Sequence, residues 1–260
     1  MCEEEQMAQS VEVTPGVRVF TSRKMLRNST VLSAHGSALL VDPGWMPDEL
    51  SAIAAELSER KPTVIGGFAT LAHHDHLLWY PGFGSVLRWA SAMTAQLARS
   101  ERDVPIEHLG PEFPATLVDL MGQVEPVVEA IPEPSIPQGF EIELIVHGGH
   151  APGHTALWLP EQRVLIAGDM LSDVELPLPF YLDDVPASVD ALDRLAPFAS
   201  RAEFVVPRHG HSGTNAFARL EADRRYIDNV VRSGGSDDRR AANSGMVEAH
   251  SHLVRLASGG

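Results

Sequence analysis

The placement of the histidines constrains the fold of this chain more than any other feature. The sequence contains 12 histidines, and most of them fall in three bunches, at 73–76, 147–154 and 209–211. Each bunch follows an apolar segment that is typical of a buried β-strand. Histidines scattered over a surface have no reason to recur in that context. The pattern therefore predicts a fold in which several strands end at a common edge and present loop side chains there.

The order of the predicted elements favours an α/β fold. The stretches GVRVF, STVLSA and SALLVDPG are typical of short strands, and Pro47 and Asp48 open a helix with apolar residues at helical spacing. A proline-rich section from 104 to 138 is predicted to be irregular, and strands and helices alternate again after it. The chain thus has two halves, each with strands followed by helices. We expect an αββα sandwich of two packed mixed β-sheets with helices on the outer faces.

Composition limits the class of partner. A chain of 260 residues with 44% hydrophobic content is long enough for a substantial core. Its net charge of −15 disfavours binding to nucleic acid, and no apolar run approaches the roughly 20 residues that cross a bilayer. The acidic start MCEEEQMAQS does not resemble a secretion signal, and Cys2 is the sole cysteine. We therefore expect a cytoplasmic protein that acts on a small-molecule substrate, and the oligomeric state stays open.

The three histidine bunches together predict a metal site. The stretch ATLAHHDHLLW places three histidines and an aspartate at consecutive positions, although a helix cap or a solvated loop would also explain it. In HGGHAPGHTALWLPEQRVLIAGDML, His154 precedes a strand and Asp169 ends the next strand, whereas His147 and His150 are interpreted as surface residues. The stretch VVPRHGH delivers His209 on a loop after a strand. Imidazole nitrogens and carboxylate oxygens are the ligands that zinc prefers when cysteine is lacking.

These motifs resemble those of the metallo-β-lactamase superfamily, from about Val11 to about Asp228. The similar motifs are LLVDPG at 39–44, TLAHHDH at 70–76, HAPGHT at 150–155, AGDML and VVPRHG. The resemblance implies that His73 and His154 bind a first metal, that Asp75, His76 and His209 bind a second, and that Asp169 bridges the two. It also implies that Asp42 and Thr70 hold the ligand residues in place without binding the metal themselves.

The resemblance also sets the expected domain organisation. We expect a tail at 1–10, a metallo-β-lactamase-like domain at 11–235, and a C-terminal helix at 236–260 packed on the domain or trailing from it.

The sequence departs from the superfamily at one ligand position. Leu71 stands where the first histidine of the motif belongs, and leucine has no lone pair to offer. The second site would stay complete, whereas the first would keep two histidines and a carboxylate, a set that binds zinc weakly or suits ferrous iron. His74 is expected to point elsewhere. We predict a single ion, or two unequally held ions, with the second position tighter.

The resemblance implies a hydrolase. A zinc-bound hydroxide would attack an ester, lactone, thioester or related bond, and Asp75 would orient the water and pass its proton to the leaving group. The expected cofactor is one or two Zn²⁺ ions, with Fe²⁺ or Mn²⁺ as alternatives. Leu71 keeps a second hypothesis open. In it, the chain is a catalytically inactive relative that binds a small molecule, or a tailoring protein that aligns a reactive chain for cyclisation.

Overall fold

The structure is a computed structural model that describes residues 10–44, 46–179 and 184–257. The predicted tail at 1–10 lies outside the described residues except for Ser10, and so does Cys2. The chain divides into two compact units, Met1–Ile142 and Glu143–Gly260. Each unit contains its own β-sheet.

The first unit contains a seven-stranded mixed sheet in which the order of strands follows the order of the chain. Its strands are β1 (Ser10–Thr14), β2 (Val17–Thr21), β3 (Asn28–Ala34), β4 (Ser37–Val41), β5 (Thr63–Phe68), β6 (Arg88–Ser91) and β7 (Glu125–Val127). Strands β1 to β4 pair antiparallel, and β4 to β7 pair parallel. The helices of this unit are α1 (Pro47–Arg60), α2 (Ala92–Ser100), α3 (Asp103–Leu109) and α4 (Ala115–Val118).

Helix α1 begins at the predicted residue. Pro47 occupies its first turn, and Leu50, Ile53 and Leu57 form its buried face, which confirms the helical spacing read from the sequence. The proline-rich section from 104 to 138 is more regular than predicted. It contains most of α3, all of α4, and β7, which pairs with β6 over three residues. The prediction failed there because tertiary pairing overrides the low strand propensity of proline-containing segments.

The second unit contains a four-stranded mixed sheet with the strand order β11-β10-β9-β8. Its strands are β8 (Glu143–Val146), β9 (Thr155–Leu159), β10 (Val164–Gly168) and β11 (Phe204–Pro207), and its helices are α5 (Val185–Ala199), α6 (Ala216–Ser233) and α7 (Met246–Ala257). Among the described strands of this sheet, β10 and β11 pair parallel and the other neighbours pair antiparallel. Every residue of β9 and β10 is buried, as the continuous apolar runs predict.

The C-terminal segment belongs to the core of the second unit. Met246 and Leu253 of α7 pack into the same hydrophobic cluster as Tyr226 and Val230 of α6. The sequence-based prediction of an α/β fold with two mixed sheets is confirmed. Among the described helices, none has the length and hydropathy that crossing a membrane requires.

Candidate metal centre

The loop after β5 is held by an aspartate from the neighbouring strand. Because β4 and β5 run parallel with Val41 opposite Phe68, Asp42 lies beside Thr70. The two oxygens of Asp42 accept hydrogen bonds from the Thr70 amide at 2.8 Å and the Thr70 hydroxyl at 2.6 Å. His76 Nδ1 lies 3.0 Å from Asp42 Oδ2. A carboxylate in this position keeps the proton on Nδ1, so the lone pair of His76 is on Nε2.

Asp75 and His76 direct ligand atoms to one point within the first unit. His76 Nε2 lies 3.7 Å from Asp75 Oδ1, and both residues are buried. Two atoms that each lie about 2 Å from one ion are separated by at most about 4 Å. The other oxygen of Asp75, Oδ2, accepts a hydrogen bond of 2.8 Å from Nε of the buried Arg27. Arg27 therefore fixes the carboxylate and leaves Oδ1 as the oxygen that faces His76.

In the second unit, a single carboxylate lies between two imidazoles. Because β10 and β11 are parallel, the residues that follow them, Asp169 and His209, lie at the same edge of the sheet. Asp169 Oδ2 is 2.9 Å from His150 Nε2, and Asp169 Oδ1 is 3.8 Å from His209 Nε2. Each oxygen of Asp169 thus faces a different histidine, which is the geometry of a carboxylate that bridges two positions.

Both of these histidines are oriented through their other ring nitrogen. His150 Nδ1 lies 3.1 Å from the carbonyl oxygen of Leu178, and His209 Nδ1 lies 3.2 Å from Glu175 Oε1. A carbonyl accepts only, so His150 Nδ1 carries a proton. At 2.9 Å, Nε2 and the carboxylate oxygen need a positive charge beside them, which either a second proton on the ring or a bound cation supplies. The arrangement fits a metal ion.

The described residues include two groups of histidine and aspartate side chains that could hold a metal ion. The six residues in these groups are His73, Asp75, His76, His150, Asp169 and His209. The donors are nitrogen and oxygen atoms throughout, a set that suits zinc, iron or manganese.

A sequence profile of the metallo-beta-lactamase superfamily matches residues 23–211. The chain belongs to this superfamily. A metallo-beta-lactamase family protein from Thermus thermophilus has a similar structure, with a TM-score of 0.68, 18% identity, and coverage of 95% of each chain. A metallo-beta-lactamase from Pontibacter korlensis matches with a TM-score of 0.66 at 21% identity, covering 86% of this chain and 100% of its own. A beta-lactamase domain protein from Burkholderia ambifaria has a TM-score of 0.64 at 19% identity, with 99% and 92% covered. The comparison with curated proteins found no match.

Within the HAPGHT motif of this superfamily member, the structure differs from the expected assignment. Both ring nitrogens of His154 are hydrogen bonded to the backbone, Nδ1 to the Gly149 carbonyl at 3.0 Å and Nε2 to the Asp169 amide at 3.2 Å. The lone pair expected to bind the first metal is therefore used by an N–H group. His150 faces the Asp169 carboxylate instead, and it is 5% exposed, so its interpretation as a surface residue is wrong, as is that of His147.

The backbone around these two histidines is unusual. His150 has a φ of 69°, in the left-handed region, which non-glycine residues adopt uncommonly. Gly168 leaves room for the His154 ring, because a Cβ atom at this glycine would collide with Nε2. His147 stacks at a tilt on His154, with ring centroids 4.4 Å apart. Burial, together with His154 and His150, lowers the pKa of His147 well below its ordinary value.

Besides Asp75 and His76, the TLAHHDH motif of this metallo-β-lactamase superfamily member contains Leu71 and two more histidines, His73 and His74. Leu71 is completely buried, and the His73 ring lies 6.3 Å from the His76 ring. His74 stacks on His108 of α3 with 5.6 Å between centroids and 16° between planes, so it faces α3. Burial lowers the pKa of His74 to about 4, although the Asp75 carboxylate opposes the shift.

Sequence reasoning missed two residues of this centre, Arg27 and Glu175. Arg27 directly precedes β3 in KMLRNST, and Glu175 lies in the loop after β10. Neither belongs to a superfamily motif in the sequence. The sequence did contain an indication that His150 belongs to the centre, because His150 is the first residue of the HAPGHT motif. Its spacing alone does not distinguish it from His154, because the difference arises from the hydrogen bonds of the folded loop.

Proposed function

We propose that this chain is a metal-dependent hydrolase that cleaves an ester, lactone, thioester or related bond in a small-molecule substrate. The observation that supports it most is the position of Asp169 between His150 and His209. The Nδ1 atom of each histidine faces an acceptor oxygen, of Leu178 for His150 and of Glu175 for His209, so Nε2 is the ring nitrogen that faces the carboxylate. A buried carboxylate between two imidazoles costs stability unless a cation, which can be a metal ion, compensates its charge.

The ligand sets that we propose are unequal. The second ion would be held by Asp75, His76, His209 and the bridging Asp169. The first would be held by His73, His150 and Asp169 alone, since Leu71 offers no donor. We therefore propose a tight second site and a weak first site. Zinc is the proposed metal, and Fe²⁺ or Mn²⁺ would also suit this donor set.

The proposed chemistry assigns a defined role to each oxygen of Asp75. A bound metal ion lowers the pKa of its water toward about 7 and so supplies hydroxide at neutral pH. Asp75 Oδ2 accepts the hydrogen bond from Arg27, so Oδ1 is the oxygen available to the ion and to a proton in transfer. Arg27 keeps the carboxylate in one orientation while this proton moves.

The test begins with the metal content of the purified protein and its hydrolysis of a panel of ester, lactone, thioester and β-lactam substrates. We expect one to two ions per chain and a rate on at least one panel member that depends on metal. The Asp169→Asn variant should lose both the bound metal and the hydrolytic activity. The control variant Asp190→Asn, on the exposed surface of α5, should keep the metal content and the activity of the wild type. A wild-type protein that binds no ion even after zinc is added would disprove the proposal.

The second hypothesis, an inactive relative that binds or aligns a small molecule, is favoured by one observation. Leu71 is completely buried at a position where the superfamily motif has a ligand. This hypothesis predicts tight binding of a small molecule with no turnover of any panel member by the metal-loaded protein. In either case we propose a cytoplasmic protein. The net charge of −15 supports the further proposal that it has no nucleic-acid partner.

A further inference from the structure

Two loops of the second unit are joined around His209. One follows β10 and contains Ser172 and Glu175, and the other follows β11 and contains His209 itself. The Ser172 hydroxyl donates a hydrogen bond of 2.7 Å to the His209 carbonyl, and Glu175 Oε1 lies 3.2 Å from His209 Nδ1. The backbone and the ring of His209 are thus both held by the loop that follows β10.

That loop is in turn held by a buried arginine from the C-terminal segment. Arg240 Nη1 donates to the carbonyl oxygens of Ser172 at 2.8 Å and Glu175 at 3.1 Å. It also lies 2.7 Å from Asp223 Oδ1 on α6, while Nε and Nη2 bind the two oxygens of Asp238 at 3.1 and 2.8 Å. Arg240 therefore connects α6 and the C-terminal turn to both ends of the Ser172–Glu175 segment.

Arg240 remains charged in this setting. Burial disfavours the guanidinium, but the carboxylates of Asp238 and Asp223 outweigh it and raise the pKa of Arg240 above its ordinary value. A buried cation with this many acceptors is rigid, since each hydrogen bond restricts the guanidinium plane. Removing one member of such a buried ionic cluster lowers the stability of the fold, because the opposite charge stays buried without compensation.

We infer that Arg240 is a positioning residue for His209, acting through the backbone of Ser172 and Glu175, so that the C-terminal turn Arg239–Ala242 is part of the candidate metal centre. This inference rests on the proposed function, in which His209 binds the second ion. The turn lies beyond residues 23–211, the region that the superfamily profile matches. The turn therefore lies outside the region that contains the matched motifs.

The physical consequence concerns the lone pair of His209. Glu175 Oε1 lies 3.2 Å from Nδ1, and its negative charge favours the proton on that nitrogen, while Nε2 faces Asp169 Oδ1 at 3.8 Å. If Arg240 is lost, Glu175 is free to move away and the ring can rotate or change tautomer. Loss of a group that orients a ligand typically weakens metal binding by roughly 10- to 100-fold.

The experiment compares Arg240→Met with Arg239→Met, the same substitution at the exposed neighbouring residue. Zinc affinity is measured by competition with a chelator, and Co²⁺-loaded protein is examined by absorption spectroscopy. We expect Arg240→Met to weaken the tighter ion roughly 10- to 100-fold and to alter the Co²⁺ spectrum, and Arg239→Met to do neither. Unchanged affinity and spectrum in a folded Arg240→Met protein would overturn the inference.

A second pair of variants keeps the test valid if Arg240→Met does not fold. Glu175→Ala removes the partner of His209 Nδ1 and leaves the contacts of Arg240 with the backbone, whereas Glu175→Gln retains an acceptor oxygen. We expect Glu175→Ala to weaken the tighter ion and to abolish the protected Hδ1 signal of His209 in NMR spectra, and Glu175→Gln to restore much of both. Wild-type affinity in Glu175→Ala would refute the inference while leaving the proposed function intact. A wild-type protein without metal affinity would refute both.

Discussion

Replacing Leu71 with histidine tests the assignment of the weak first site. The leucine is completely buried, so the substitution removes an apolar side chain worth about 1.5–3 kcal/mol of burial. It also introduces an imidazole whose unsatisfied nitrogens cost about 1–3 kcal/mol. In metal-free protein we therefore expect the free energy of unfolding to fall by roughly 3–5 kcal/mol.

Zinc should reverse much of this loss if position 71 faces the ion. Restored histidine would complete the first ligand set, and an ion that binds only the folded state stabilises it by about 2.7 kcal/mol at 100 times its dissociation constant. Urea denaturation is measured with and without zinc for the wild type, Leu71→His and Leu71→Asn. Asparagine is close to leucine in size and carries the cost of a buried polar group without an imidazole.

The expected result is a zinc-dependent gain in Leu71→His that clearly exceeds the gain in Leu71→Asn, with a metal content that rises toward two ions per chain. Hydrolysis of the panel substrate should rise with it. Should zinc stabilise both variants equally, position 71 belongs to the apolar interior. The alignment of TLAHHDH with the superfamily motif would then be wrong at this residue.

Three further perturbations probe the support of the ligands. Asp42→Ala should weaken zinc binding roughly 10- to 100-fold in chelator competition, because the proton on His76 Nδ1 loses its acceptor. Gly168→Ala should lower the free energy of unfolding by roughly 2–4 kcal/mol in urea, since a Cβ collides with His154 and φ is positive. Gly36→Ala, also at positive φ but with open space, should cost only about 1 kcal/mol. The pKa of His147 is lowered in the folded state, so the unfolded chain binds a proton there more readily. The contribution of His147 to the free energy of unfolding is therefore fully present above pH 6.5, and below that it is lost by about 1.4 kcal/mol per pH unit. Metal-free His147→Phe should show a pH slope of the unfolding free energy that is smaller by that amount, and an unchanged slope would contradict this.

The element types of this chain were predictable because they follow from periodicity. Leu50, Ile53 and Leu57 repeat at helical spacing, and the buried strands β9 and β10 are continuous apolar runs. The spacing of apolar residues is a property of the local sequence, so these elements can be recognised before their tertiary contacts are known. The section from 104 to 138 was mispredicted because β7 depends on a partner strand and not on its own residues.

The candidate ligands were predictable as a set, but their roles were not. Histidine and aspartate at strand ends are visible in the sequence, whereas the direction of a lone pair is decided by the partner of the other ring nitrogen. His150 and His154 lie in one short motif, and the Leu178 carbonyl and the Asp169 amide give them opposite roles. Arg27 meets Asp75 across 48 positions of sequence, a distance at which no local pattern exists.

The partners of the imidazoles also bear on which proposed site is tighter. His76 and His209, assigned to the second ion, each have a carboxylate at Nδ1, from Asp42 and Glu175. His150, assigned to the first ion, has a neutral backbone carbonyl at Nδ1. A carboxylate raises the basicity of an imidazole more than a neutral carbonyl does, because it stabilises the positive charge that builds up on the ring when a cation binds. The inequality between the two sites that Leu71 creates by removing a ligand is therefore reinforced by the carboxylates that lie behind His76 and His209. Leu71→His alone should then narrow the difference between the two affinities without abolishing it.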